Sequence, residues 1–288
     1  MRIVELTEAS PRPRRIAVGE FDGVHLGHRE VIRGSDTVLT FEPHPLAVVR
    51  PEAAPKLLTT LEVKAELIAQ LGVEELVVIP FDETFAHQTP QEFIDDILIA
   101  RLGATHVSVG ENFRFGHRAA GDSDVLAAQP GFQTRVVPLV EVDGEVVSSS
   151  HIRALVQAGE VEAAARMLGA PFELRGAVVE GDRRGRELGF PTANIVPDES
   201  LVQPGHGVYF ARADGQCAAV SVGVRPTFRT GSGVLVEAYV LDQELELYGR
   251  PLRLQFLARL RGERRFESVQ ALVEQMHRDV ERVRELCS

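Results

Sequence analysis

The strongest chemical signal in the chain is Gly19-Glu20-Phe21-Asp22-Gly23-Val24-His25-Leu26-Gly27-His28. Glycines let a backbone turn tightly and approach a ligand, and a helix starting behind them aims amide groups and its positive dipole end at an anion. That is phosphate chemistry. His25 and His28 are three residues apart, so at a helix start both imidazoles can face one phosphate and stabilise charge on a leaving pyrophosphate. A zinc pair competes with this reading, but zinc needs at least three protein ligands and the nearest further histidine is His44.

In the second half, Gly181, Gly185 and Gly189 with Arg183, Arg184 and Arg186 form a basic lip before Phe190-Pro191-Thr192-Ala193-Asn194. The Thr192 hydroxyl and Asn194 carboxamide could both reach a hard cation through oxygen, and Mg²⁺ takes few protein ligands beside phosphate and water. The plainer alternative is a turn ending in a strand. Glu237 sits in VLVEAYVL, whose alternation places Val234, Val236, Ala238 and Val240 on one face and Leu235, Glu237, Tyr239 and Leu241 on the other. A lone carboxylate on such a strand is ordinarily solvated. The arginines of LARLRGERRF are a candidate phosphate contact, with a charged turn before a helix as the simpler account.

These residues need elements to position them. Apolar runs at 14–19, 37–41, 75–79, 105–110 and 134–139 read as strands. Thr59 with Glu62 predicts a capped helix ending at Gly72, and Thr89, Pro90 and Glu92 predict another ending at Gly103. Strand and helix in alternation predict a doubly wound parallel sheet. Only REVIRGSD separates His28 from the next strand, which predicts a helix of about two turns. After about residue 170 the strands follow one another without helices, as in a small antiparallel barrel, and Phe266, Val269, Leu272, Met276, Val280 and Val283 predict one closing amphipathic helix. The junction is expected at Leu168-Gly169-Ala170-Pro171, giving domains 1–169 and 170–288.

At 288 residues, two domains are the natural reading, and 25% charged with 44% hydrophobic residues is an ordinary globular composition. The net charge of −11 means that local donors must hold any phosphate, and it argues against a nucleic-acid partner. Cys217 and Cys287 read as two separate thiols, lacking the CxxC spacing of a zinc or redox site and suiting a reducing cytoplasm. No stretch approaches the ~18 apolar residues of a membrane span, and the N-terminus lacks an export signal, so a cytoplasmic protein without a membrane partner is expected.

The chain resembles the prokaryotic bifunctional riboflavin kinase/FAD synthetase family. The matching stretches are GEFDGVHLGH, LTFEPHP, GENFRFGHRAAGD, SSSHIRALVQAGEVEAAARMLG, GDRRGRELGFPTANI, GVRPTF, VEAYVLD and LYGRPLRLQFLARLR, in family order over nearly the whole chain. The resemblance implies an α/β FMN adenylyltransferase domain of the HxGH nucleotidylyltransferase kind, followed by an antiparallel β-barrel riboflavin kinase domain with a C-terminal helix. It implies that ATP meets Gly19, Phe21, Gly23, His25 and His28, with Ser149, Ser150 and Arg153 near the nucleotide. Hydroxyls that cap a helix and a guanidinium fork suit phosphate oxygens, while capping alone suffices for Ser148. It places Asn112, Phe113 and Arg114 at the flavin end, with Phe113 and Phe115 equally readable as core. It assigns Thr192 and Asn194 to Mg-ATP and makes Glu237 the base for the riboflavin hydroxyl. The implied partners are riboflavin, FMN and ATP, with Mg²⁺ as cofactor. The alternatives are a riboflavin kinase with an impaired first domain, and a non-catalytic flavin-nucleotide carrier.

Overall fold

The computed structural model describes residues 1–179, 189–224, 233–242 and 249–287. The lip residues Gly181, Arg183, Arg184, Gly185 and Arg186, and most of GVRPTF, lie outside the described residues. The chain divides into two compact units, Met1–Ser149 and Ser150–Ser288.

In the first unit, the described strands β1 (Arg2–Glu5), β2 (Arg14–Val18), β3 (Thr37–Glu42), β4 (Glu75–Pro80) and β5 (Ala104–Gly110) join β8 (Gln133–Val137) in a parallel sheet of order β1-β4-β3-β2-β5-β8. Two short hairpins, β6 (Arg114–Phe115) with β7 (Gly121–Asp122) and β9 (Glu141–Val142) with β10 (Glu145–Val146), flank β8 in sequence. The five expected strands are all present; β1 is additional. Its exposed residues gave no alternating signal, and it is held by pairing with β4 and by Arg2 bonding Glu75.

The helix after the histidines, α1 (Leu26–Ile32), has the expected two turns, and its short length still buries Val31 and Ile32 against the sheet. Next come α2 (Pro45–Val49) and α3 (Leu61–Ala69). The cap of α3 is Thr60, not Thr59: its hydroxyl accepts from the Val63 amide at 3.4 Å, while Thr59 is drawn to the loop after β2. α4 (Glu83–Ala86) precedes α5 (Pro90–Glu92), where Thr89 and Glu92 form the expected reciprocal cap. The chain then runs as a π-helix over Phe93–Arg101, the Leu102 amide bonding Ile97 O five residues back at 2.9 Å. α6 (Ser123–Ala127) completes the unit.

A buried ion cluster anchors the end of the sheet opposite the Gly19 loop. Arg14 Nε donates to Glu75 at 2.8 Å and its Nη1 to Leu102 O at 2.6 Å, both side chains being shut off from water. Burial alone would raise the Glu75 carboxyl, but hydrogen bonds from Arg2 and Arg14, with the charge of Arg12, hold it below the ordinary carboxylate range.

In the second unit, α7 (Ser149–Ala158, its first residue closing the first unit) and α8 (Val161–Leu168) lead into β11 (Phe172–Val179), β12 (Ala193–Pro197), β13 (Gly207–Ala213), β14 (Gln216–Val224), β15 (Val234–Val240) and β16 (Pro251–Arg261). Among the described residues these six strands close an antiparallel barrel in the order β11-β12-β15-β14-β13-β16. Period-two alternation fills its interior: Leu174, Val220, Val236, Ala238 and Leu254 are each at most 1% exposed. The helix pair belongs with the barrel because Arg259 Nη1 donates to Ala158 O at 3.0 Å and the Arg259 amide to Glu162 at 3.1 Å.

α9 (Val269–Cys287) packs Val283 onto Phe210 and Cys217. Arg261 from β16 forms a bidentate pair with Asp279 and faces the Phe266 ring, so at least this arginine of LARLRGERRF ties the helix to the barrel. Cys217 and Cys287 are joined in a disulfide, which corrects their reading as separate thiols. Cys287 lies four residues beyond Val283, on the face already packed over β14, whereas the 70-residue sequence separation conceals the approach.

Candidate functional site

The Gly19 loop leaves the carboxyl end of β2, where neighbouring strands β3 and β5 diverge in sequence order; open α/β sheets bind ligands at such switch points. Its backbone is unusual: Phe21 (φ 52°), Gly23 (φ 82°) and Val24 (φ 42°) all have positive φ, which is strained for a β-branched residue. Asp22 holds the turn in place. Its buried carboxylate accepts the Leu58 amide at 2.9 Å and the Thr59 amide at 3.2 Å, while the Gly23 amide donates to the Thr59 hydroxyl at 3.2 Å.

The two histidines stack with ring centroids 3.5 Å apart. His25 caps α1, its Nδ1 accepting the His28 amide at 3.3 Å, so its remaining proton is on Nε2. Gly27 permits this stacking, since a Cβ there would come within 3.3 Å of the His25 ring. The sequence pattern placed both imidazoles at a helix start; it did not foresee that one caps the helix and occupies the His28 amide.

A cavity of about 510 Å³ opens here, within the ordinary range for small-molecule sites. At one side lie Gly19, Glu20, Phe21, His25, His28, Ser148 and Ser149, with the Ser149 hydroxyl donating to Asp22 O at 3.0 Å. Gly23 does not line it. Asn112, Phe113 and Arg114 line the cavity as well, so the structure brings the predicted phosphate and flavin residues into one space. Phe113 and Phe115 stack at 5.6 Å, and both line the cavity while also packing on the core. Phe41, Phe81, Phe85 and Phe93 continue the aromatic wall, with Phe81 and Phe85 at 5.4 Å. Sequence reasoning missed these four because they come from a strand end, a loop, α4 and the π-helix, and only the fold gathers them.

Glu20 was also missed. Its carboxyl is pushed up to about 8, chiefly by burial, against the pull of Lys64 and with repulsion from Asp22 and Glu42. Ser150 and Arg153 belong to the second unit, on the first turns of α7, where Arg153 Nη1 lies 3.5 Å from the Ser150 hydroxyl.

In the barrel, β12 and β15 pair with Asn194 directly opposite Glu237, and β14 sets Ser221 on the other side of Glu237. Residues opposite one another in an antiparallel pair point to the same face. Asn194 and Glu237 therefore stand together on the outer face, away from interior Val236 and Ala238. Asn194 is 8% exposed, and Thr192 precedes it by two residues. Phe190 packs edge-on to Tyr239 at 5.4 Å and near His277 of α9 at 4.9 Å, fixing the start of the PTAN segment. Ala193–Pro197 form a strand, as the alternative of a turn ending in a strand expects. Among the described residues no cluster of three or more His, Cys, Asp or Glu could hold a metal, and the zinc reading of His25 and His28 gains no third ligand.

Two family models match the chain, FAD synthetase over residues 7–151 and riboflavin kinase over 168–287. Bifunctional riboflavin kinase/FMN adenylyltransferases are similar over most of its length: that of Listeria monocytogenes is 37% identical, covering 92% of this chain and 89% of its own, and that of Bacillus subtilis is 38% identical with the same coverage.

The chain belongs to the bifunctional riboflavin kinase/FMN adenylyltransferase family.

The Escherichia coli K12 member is 34% identical and covers 96% of this chain and 94% of its own. A crystal structure described as a macrolide-efflux protein from Streptococcus pneumoniae superposes with a TM-score of 0.89 at 29% identity, covering 99% of both chains. Among the described residues of the present family member, no helix is long and apolar enough to cross a membrane.

Proposed function

We propose that the chain makes FMN from riboflavin and ATP in its barrel, and FAD from FMN and a second ATP in its α/β unit. The observation that supports this reading is that each matched family region groups its own candidate residues: the histidine stack beside a cavity of about 510 Å³, and Asn194 opposite Glu237. The two-turn α1 still buries Val31 and Ile32, so the short link after His28 gives no ground for an impaired first unit.

In the kinase reaction Glu237 takes the proton of the riboflavin 5′-hydroxyl as that oxygen attacks the γ-phosphorus, and ADP leaves. Thr192 and Asn194 supply hard oxygen donors beside that carboxylate, a set suited to Mg²⁺, which when bound would neutralise charge on the ATP phosphates. In adenylyl transfer an FMN phosphate oxygen attacks the α-phosphorus of ATP and the bond to the β-phosphate oxygen breaks. Nε2–H of His25 and the imidazole of His28 stabilise the departing pyrophosphate, and no covalent enzyme intermediate is needed. Gly19, Phe21 and Gly23 shape the turn, while Ser149 acts on the nucleotide phosphates. Asn112, Phe113 and Arg114 hold the flavin with the neighbouring aromatic wall. The activities are assigned to residues 1–169 and 170–288, and a cytoplasmic location is proposed.

The test is a crossover of two variants. Asn194→Ala should depress FMN formation while leaving conversion of supplied FMN to FAD nearly unchanged. His28→Ala should do the reverse, lowering FAD formation about 10²- to 10³-fold, as for loss of one preorganised donor, with ATP affinity largely kept. Equal loss of both activities in either folded variant would overturn the division of labour.

A further inference from the structure

Glu20 has no part in the mechanism above, yet it occupies the first side chain of the phosphate turn. Its backbone is fixed: the preceding Gly19 amide donates to Leu39 O at 3.1 Å, and the Thr40 hydroxyl donates to Glu20 O at 3.2 Å. Its side chain lines the same cavity as the stacked histidines, and among the described residues its solvent-shielded Oε1 has no hydrogen-bond partner. A buried polar atom without a protein partner beside a cavity is available to a group that enters that cavity. The groups that face it are Lys64 from α3, Asp22 from the turn and Glu42 from β3, with His25, His28, His44, Arg114 and Arg118 around the cavity. Asp22 is already committed to the Leu58 and Thr59 amides.

An ionised carboxylate here would repel a phosphate. A protonated one carries an O–H donor and adds no charge. We propose that Glu20 acts as a neutral acid that donates a hydrogen bond to a phosphate oxygen of the nucleotides bound at this turn, so that its ionisation switches off FAD formation without affecting FMN formation. The proposal rests on the phosphate-turn reading of Gly19 to His28. Burial and the two neighbouring carboxylates keep the proton on Glu20 through neutral pH against the pull of Lys64, and it is lost around pH 8. The phosphate source is either the attacking FMN or ATP.

The experiment uses the full chain and measures FAD formation from supplied FMN, and FMN formation from riboflavin, between about pH 6 and about pH 9.5. Wild type, Glu20→Gln, Glu20→Ala and His28→Ala are compared, each first checked for a cooperative thermal transition. Wild-type FAD formation should fall by about tenfold per pH unit beyond the ionisation, with no matching fall in FMN formation. Glu20→Gln keeps a neutral N–H donor of similar reach, so its FAD rate should drop a few-fold at neutral pH but lose the alkaline fall. Glu20→Ala should lose more rate than Glu20→Gln and should raise one KM: that for FMN if the acid contacts the attacking phosphate, that for ATP if it contacts the other. An unchanged alkaline fall in Glu20→Gln, or a Glu20→Ala enzyme equal to wild type at neutral pH, would overturn the proposal. His28→Ala reports separately on the phosphate turn: if it leaves FAD formation intact, that reading fails whatever the Glu20 variants do.

Discussion

At the scale of single residues, the turn after β2 shows how a structural side chain makes a reactive loop possible. Positive φ at Phe21 and Val24 costs of order 1–3 kcal/mol each, so the conformation persists only because its surroundings impose it. Asp22 is the residue that does so. Asp22→Ala would strand the buried Leu58 and Thr59 amides at a cost of about 1–3 kcal/mol, and should release the turn. We expect a lower thermal midpoint together with a fall in FAD formation larger than that in FMN formation; an intact FAD rate would show that the turn holds without its pin. Glu20 belongs to the same scale and was invisible in the sequence. A glutamate after a glycine carries no spacing signal, and its role depends on burial and on Lys64, Asp22 and Glu42 arriving from other elements. His25 and His28, in contrast, were legible because the Gly27 between them constrains their geometry locally.

At the scale of elements, residues that interact with near neighbours in sequence were predicted well, and those defined by distant partners were not. The five expected strands, β2, β3, β4, β5 and the edge strand β8, and the Thr89–Glu92 cap follow from local pattern. β1 has no apolar alternation and exists through pairing with β4, while the cap of α3 moved to Thr60 because Thr59 is required at the Asp22 turn. The π-helix over Phe93–Arg101 shares its cap and apolar content with an ordinary helix, so sequence periodicity alone did not separate the two. The base of the sheet supplies a stability prediction. Glu75→Ala leaves Arg14 buried without its carboxylate and should cost about 3–5 kcal/mol. Because the folded carboxyl titrates below its unfolded value of 4.5, the unfolded chain binds more protons in that range. The stabilisation is therefore complete above that value and declines as pH falls through the folded pKa. Thermal midpoints across acid pH should fall less steeply for Glu75→Ala than for wild type; parallel slopes would remove Glu75 from the acid response.

At the scale of the whole molecule, the boundary of the compact units precedes the boundary expected from the helix-ending Gly169-Ala170-Pro171. The reason is Arg259, whose backbone and guanidinium reach back to Glu162 and Ala158, carrying α7 and α8 with the barrel. A fragment starting at Ser150 should therefore fold and phosphorylate riboflavin, whereas one starting at Ala170 keeps Thr192, Asn194 and Glu237 but loses that support and should melt at lower temperature. Equal melting of the two fragments would make the helix pair dispensable. The disulfide was equally hidden, since a separation of 70 residues gives no clue that the last turn of α9 returns to β14. The central claim, two successive reactions on one chain, is tested most directly by incubating the purified protein with riboflavin, ATP and Mg²⁺ and separating the flavins over time. FMN should appear first with ADP, followed by FAD with pyrophosphate. FMN that accumulates without FAD, or the absence of both products, would contradict the account.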